Sequence, residues 1–278
     1  MTKRLAFNKV KHRAIFVVFT LVTAQTCLTG FSTPAQAITV TATGTNPSVC
    51  DQNVSNTSGV SVARLAGGDC VIRFTTASTA INWIVPNNAR TIRLLVLGGG
   101  GGGGVDAGSG GGGGGAYEAS GVPVTPGATV TTYVGSGGTA GIYAGTTASA
   151  GESSTITVSG NIYRGLGGNA GPYGISSNPQ PSVATGGSAV GVGGTATTGA
   201  SGGAGKGWVS GQAGAGSVGN DGNLVTDISG TSTRYGGGGA GGANVNGVSV
   251  TIVNGGAGGG GAAGYNSPSN VIAADGGA

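Results

Sequence analysis

Histidine is all but missing from this chain. His12 is the only one, and it sits in a leader-like stretch. Charged residues make up 7% and aromatics 5% of the whole. A serine hydrolase of the triad type needs an imidazole base, so "GASGG" around Ser201, which mimics the G-x-S-x-G elbow, has no base to work with. Lys206 is the only lysine after residue 37, and the eight acidic residues are scattered without a paired spacing. No set of cysteine and histidine ligands exists for a structural metal. Helical periodicity is missing too. After residue 37 no stretch repeats apolar residues at 3.6 over three turns, so no helix is expected outside the leader. The sequence therefore predicts no enzymatic activity, no cofactor and no metal site.

Residues 1–37 read as a secretory signal. Lys3, Arg4, Lys9, Lys11 and Arg13 precede the apolar run "AIFVVFTLVTA", which is too short to span a bilayer, and "STPAQA" ends in a small-x-small site cut after Ala37. The expectation is a secreted, extracellular or cell-surface protein with no membrane span after cleavage. The formal charge of +4 belongs to the precursor. Beyond Ala37 stand seven basic and eight acidic residues, a net of −1. That balance gives no support for a nucleic-acid partner. Cys50 and Cys70 are then an even pair in an oxidising compartment, and they read as a disulfide.

What the chain has in abundance is glycine. Of 65 glycines, 60 fall in the 181 residues from Gly98 to Ala278. The runs are Gly98–Gly104, Gly110–Gly115, "GGGGAGG" from Gly236 through Gly239 to Gly242, and "GGAGGGGAAG" containing Gly258 and Gly261. There is no Gly-X-Y register, so a collagen helix is excluded. Gly98, Gly100 and Gly103 satisfy G-x-G-x-x-G, with Glu118 twenty residues on. A dinucleotide site needs a helix N-terminus behind those glycines. "VDAGSGGGGGGAY" cannot supply one, because each interior glycine costs about 1 kcal/mol relative to alanine. "ASGGAGKG" fails as a phosphate loop. It lacks the first glycine, and Gly207 stands where the hydroxyl belongs. "GNDGN" (219–223) with Asp227 reads as a solvated turn ahead of an incidental cation site.

Two structural readings of the glycines remain. One is a flexible linker. The other is polyglycine-II: extended left-handed rods of three residues per turn, with no internal hydrogen bonds, whose backbone groups must be satisfied by neighbouring rods. Strand-like segments among the runs favour ordered rods anchored on a β-sandwich. "CVIRFTT" (70–76), "AINWIVP" (80–86), "TIRLLVL" (91–97), "AYEASGVPV" (116–124), "ATVTTYVG" (128–135), "STITVSG" (154–160), "NIYR" (161–164) and "GVSVTIV" (247–253) are β-branched, aromatic or aliphatic. Their separators, such as "PNNA" and "TPG", carry turn chemistry. "TIRLLVL" is expected at the centre of a sheet, and residues 38–69 at an N-terminal edge tied by the disulfide. Order is least expected across 174–216.

The pattern resembles a known family. Trp83–Pro86, the apolar strand entering polyglycine, the Gly-Ala-Tyr exit at 115–117, and Val124-Thr-Pro-Gly127 before a Thr/Val strand are similar to the glycine-rich domain of secreted bacterial and phage tail-fibre proteins. The resemblance covers about 70–278. It implies an all-β fold, a jelly-roll-like sandwich with inserted polyglycine-II tracts, and transfers no catalytic motif. It also implies a closing strand beyond Ala278, since "AADGGA" stops short of the family's last one. The expected role is structural or adhesive. Exposed tyrosines and Trp208 would offer weak, multivalent contact to a glycan or cell-surface polymer, although such aromatics more often pack between tracts, and self-association is compatible with the rods. The competing reading is a specific binding module with recognition loops at Thr139–Ser149 and Pro172–Ser188.

Overall fold

Strands that alternate inward and outward residues, several joined by tight turns, build the core of the described residues. The structure is a computed structural model and describes residues 38–42, 59–64, 69–104, 108–141, 147–173, 185–199, 201, 220–226, 232–240, 243–244, 265–267 and 270–272. All of them fall in the unit Ala35–Ala278. The fold is all-β, and no helix occurs among the described residues. In chain order the main strands are β1 (Ile38–Ala42), β2 (Val60–Arg64), β3 (Cys70–Phe74), β4 (Ala80–Ile84), β5 (Thr91–Leu97), β6 (Ala116–Pro123), β7 (Thr129–Tyr133), β8 (Ser154–Val158) and β9 (Asn161–Gly165). Short strands β10 (Ala189–Val190) and β11 (Thr195–Thr197) follow, then the hairpin β12 (Asn223–Thr226) and β13 (Ser232–Tyr235), and β14 (Ala243–Asn244), β15 (Tyr265–Ser267) and β16 (Asn270–Ile272).

Two antiparallel sheets face each other in a jelly-roll-like sandwich. The first runs β11-β6-β5-β1-β3-β2, the second β10-β9-β8-β7-β4. Ile72, Phe74, Ile92, Leu94, Val96, Tyr117 and Val122 from the first sheet meet Trp83, Val130, Ile156, Val158 and Tyr163 from the second in one buried cluster. At about 1.5–3 kcal/mol for each large apolar side chain buried, this cluster is the main favourable term for the sandwich. β5 is central, as its apolar run predicts. Its outward Leu95 and Leu97 are also covered, packing with Ala116 and Tyr235, so both faces of its last turn of sequence are dry.

β1 corrects the expected N-terminal edge. It lies between β3 and β5, paired antiparallel to both, while β2 takes the edge. The cause is topological. The chain leaves the first sheet after β3 to make β4 in the second, then returns as β5, which opens a slot between β3 and β5. "ITVTA" fills it. The short strands β10 to β16 are the other departure. Two to four residues scarcely display a period, so no alternation marked most of them. The expected strand 247–253 lies outside the described residues.

The two ends of the sandwich differ. At one end the connections are tight. Ala89 N donates to Pro86 O across "PNNA", and Ala128 N donates to Thr125 O (each 3.0 Å) with Gly127 at φ 74°, the left-handed value a Pro-Gly turn requires. Ser159 and Gly160, at φ 48° and 80°, close the β8–β9 hairpin in two residues, as a primed turn does. At the other end three connections are glycine-rich: 98–115 joins β5 to β6, 134–153 joins β7 to β8, and 166–188 joins β9 to β10, while the short β3–β4 connection at 75–79 carries no glycine.

Candidate functional site

The glycine-rich connections leave the sandwich as straight pieces that bond to one another every third residue. Gly98, Gly101 and Gly104 donate their N–H groups to Gly115, Gly112 and Ser109, so 98–104 and 109–115 run antiparallel. On a second side Gly99 and Gly102 donate to Glu152 and Ser149. On further sides Gly138 and Gly141 donate to the carbonyls of Gly100 and Gly103, and Gly168 and Gly171 to those of Gly99 and Gly102. All these bonds are 2.7–3.0 Å. A repeat of three with bonds in several directions is the signature of polyglycine-II, in which N–H and C=O point sideways. Among the described residues, no glycine of 98–104 or 110–115 has a positive φ, which sets the left hand of these rods.

The interior rods need glycine in two phases of 98–104 and in all three of 110–115. A methyl on Gly98, Gly101 or Gly104 would overlap the carbonyl of Leu166, Asn169 or Pro172, and on Gly99 or Gly102 that of Ser136 or Thr139. In the other rod Gly111 and Gly114 face the carbonyls of Gly101 and Gly98, Gly112 and Gly115 those of Thr185 and Ser188, and Gly110 and Gly113 those of Gly239 and Gly236. An α-hydrogen aimed at a carbonyl oxygen makes a weak Cα–H···O contact, and many such contacts add to the lattice. Perimeter rods need glycine in fewer phases. Gly135, Gly138 and Gly141 are buried while Thr139 is exposed; Gly165, Gly168 and Gly171 are buried while Asn169 is exposed. Unbroken glycine runs mark the inside of the bundle, and glycine at every third place marks its rim.

Outward phases carry polar side chains paired across rods. Thr139 Oγ1 and Ser149 Oγ lie 3.1 Å apart, and Asn169 Nδ2 donates to Thr185 Oγ1 at 2.6 Å. At the seam with the sandwich, Glu152 Oε2 accepts from Ser78 Oγ (3.1 Å), Tyr133 OH (3.0 Å) and Ser136 N (3.1 Å). The Ser136 backbone N–H, with the Tyr133 hydroxyl and then Ser136 and Ser78, holds this carboxyl below the ordinary glutamate range. Burial raises the Tyr117 phenol, and the neighbouring Tyr163 adds to the rise. The Tyr117 ring fits because Gly191 and Gly194 leave it room. Two of the tyrosines, 117 and 163, belong to the sandwich core, with ring centroids 5.7 Å apart.

The other candidate residues fall as follows. The N–H groups of Gly98 and its neighbours 99, 101 and 102 are occupied by carbonyls and point in several directions, so none is gathered for a phosphate. Glu118 pairs with Arg93 on the outer face of the first sheet. Asp221 pairs with Arg234 at 3.8 Å, and Arg234 Nη1 donates to Gly222 O, which makes "GNDGN" the flank of the β12–β13 hairpin. Ser201 Oγ accepts from Asn220 Nδ2 at 2.7 Å. Gly239 N donates to Gly111 O, so the third run does join the bundle. Gly236, at φ 73°, is the turn out of β13 and departs from the rod geometry expected of it, since the chain must change direction there before joining the bundle. Residues 185–188, in the stretch where order was least expected, form a rod beside 166–169 and 113. Cys70 is fully buried and is not a free thiol. Cys50, Ala37, Gly258, Gly261, Lys206 and Trp208 lie outside the described residues.

A side-chain sandwich from which backbone-bonded glycine rods emerge defines a β-sandwich protein of the polyglycine-II class. The chain belongs to the glycine-rich domain family, whose model matches residues 75–278. No curated protein matches it significantly.

Proposed function

We propose that the chain is a secreted or cell-surface structural and adhesive protein without catalytic turnover, released by cleavage after Ala37 and tied by a Cys50–Cys70 disulfide. The observation that carries this reading is the build of the bundle. Its inside is backbone packed on backbone, and its rim presents short alcohols and an amide, Thr139, Ser149, Asn169, Thr185 and Ser188, beside the carboxylate of Glu152. Such a surface suits repeated weak polar contacts, whose strength comes from number. The resemblance to secreted bacterial and phage tail-fibre proteins points the same way, as does the leader sequence. The test is expression of the full chain in a secreting bacterium. The expected product begins at Ile38, weighs two hydrogens less than the dithiol, and is retained on intact cells or purified cell-wall polymer. A product kept inside the cell with its leader intact would overturn the reading.

A recognition module is the second reading. The bonds between Gly104 and Ser109, Gly103 and Gly141, and Gly102 and Gly171 bring three rod ends side by side, and the expected recognition segments Thr139–Ser149 and Pro172–Ser188 start near two of those ends. A saturable, competable ligand in a pull-down with the secreted chain favours this module over the plain scaffold.

A further inference from the structure

We propose that the seam between the second sheet and the rim of the rod bundle is a glycan subsite, in which Glu152, Tyr133 and the Thr139–Ser149 hydroxyl pair receive the hydroxyl groups of a neutral sugar chain. The proposal rests on the adhesive reading and gives it a location. Glu152 is exposed, yet its carboxylate is fixed by three donors that all reach Oε2. A long side chain normally loses rotamer freedom when it binds, but here that cost is met within the fold. The carboxylate also has no cationic partner among the described residues, whose ion pairs are Arg93–Glu118 and Arg234–Asp221. Its remaining acceptor sites therefore suit O–H donors, and a hydrogen bond from a sugar hydroxyl to an ionised oxygen is of the stronger, charge-assisted kind.

The neighbouring groups extend the same chemistry. Ser149 lies one rod turn before Glu152, about 9 Å along the axis at ~3.1 Å per residue. Its Oγ accepts from the Thr139 backbone N–H at 2.8 Å and couples to the Thr139 hydroxyl. Tyr133, half-buried at the end of β7, adds a ring with an apolar face beside the carboxylate. Carboxylate, ring and hydroxyl pair thus lie along a span comparable to two sugar rings. The negative charge disfavours an anionic polymer, and no group of three His, Cys, Asp or Glu side chains gathers among the described residues to make a metal set.

The experiment is a calorimetric titration of the full secreted chain with maltoheptaose, cellohexaose and chitohexaose, in the presence and absence of a chelator. Saturable binding of at least one sugar is expected, unaffected by the chelator. Glu152→Gln, and separately Thr139→Val with Ser149→Ala, should weaken it roughly tenfold or more, the scale of a lost hydrogen bond to a charged group for the first. Ser188→Ala on another rod should bind like the wild type, and thermal midpoints verify that each variant is folded. Equal affinity of all variants would place the sugar elsewhere and overturn the site while leaving the adhesive reading intact. Retention of the wild type on whole cells with no binding of the three sugars would do the same. Loss of binding on chelation would replace the proposal with a cation-mediated one.

Discussion

The sandwich and the rod bundle are held together by opposite means. In the sandwich, side chains fill the space between backbones, and the backbone of each strand bonds only to strands in its own sheet. In the bundle, backbones fill the space themselves, and each interior rod bonds to neighbours on several sides. The first region should be most sensitive to removing atoms and the second to adding them. Glycine loses more conformational freedom on ordering than any other residue, so a single rod has no stability of its own. It becomes rigid only when neighbours satisfy its backbone groups and strands pin its ends.

The largest effect should come from subtraction in the sandwich. Trp83 is 2% exposed and lies in the cluster shared by the two sheets. Trp83→Ala leaves a cavity that the close-packed neighbours cannot fill, and a loss of about 3–5 kcal/mol is expected. Chemical denaturation of the full chain measures it. Addition in the bundle should come next. Gly112 donates to Asn169, accepts from Gly101, and faces the Thr185 carbonyl, so one residue touches three rods. Gly112→Ala puts a methyl into that carbonyl. Strain from overpacking, about 1–3 kcal/mol, adds to weakened hydrogen bonds of about 1 kcal/mol each, for a total of roughly 3 kcal/mol. Amide exchange should accelerate at Gly101, Gly112 and Gly187 while the protection of β5 and β8 falls far less. Uniform loss of protection across both regions would show that bundle and sandwich form one cooperative unit, and would remove the contrast.

Legibility in the sequence divides along the same line. β3 to β9 could be located from their apolar and β-branched composition, and the turns at 86–89 and 125–127 from Pro, Asn and Gly, because strand and turn chemistry is local, whereas Ser159 and Gly160 were read into a strand and form a turn. The rods were legible in kind, since a run of glycines flanked by valine-rich strands is a poor linker. Their neighbours were not. That 109–115 lies beside both 98–104 and 236–239 depends on which strand ends the sandwich brings together, a property of the whole fold. The period of three in 135–141 and 165–171 was visible in retrospect as Gly135, Gly138, Gly141 and Gly165, Gly168, Gly171. It was obscured because other phases of the same stretches also carry glycine. The place of β1 and the carboxylate at Glu152 were hidden for the same reason: each is made by residues distant in the chain.

Substitution on the rim, at positions whose side chains point outward, should matter least to stability. Ser188 is exposed, and Ser188→Ala should change stability by no more than about 0.5 kcal/mol, against several times that for Gly112→Ala one rod away. Glu152 is the rim position where charge adds a further handle. Its carboxyl is held below the ordinary glutamate range by donors that favour the ionised form. Because the folded value is depressed, its contribution is present above the unfolded value and is lost as pH falls through the ordinary glutamate range to the lowered one. Stability of the wild type should therefore drop in that acid window by a small amount that Glu152→Gln abolishes, since the amide neither titrates nor attracts the three donors as strongly. The measurement is the thermal midpoint of both proteins across the window. Parallel curves would mean that the three hydrogen bonds do not distinguish the ionised from the neutral carboxyl, and that the rim, like the rod interior, is set by shape alone.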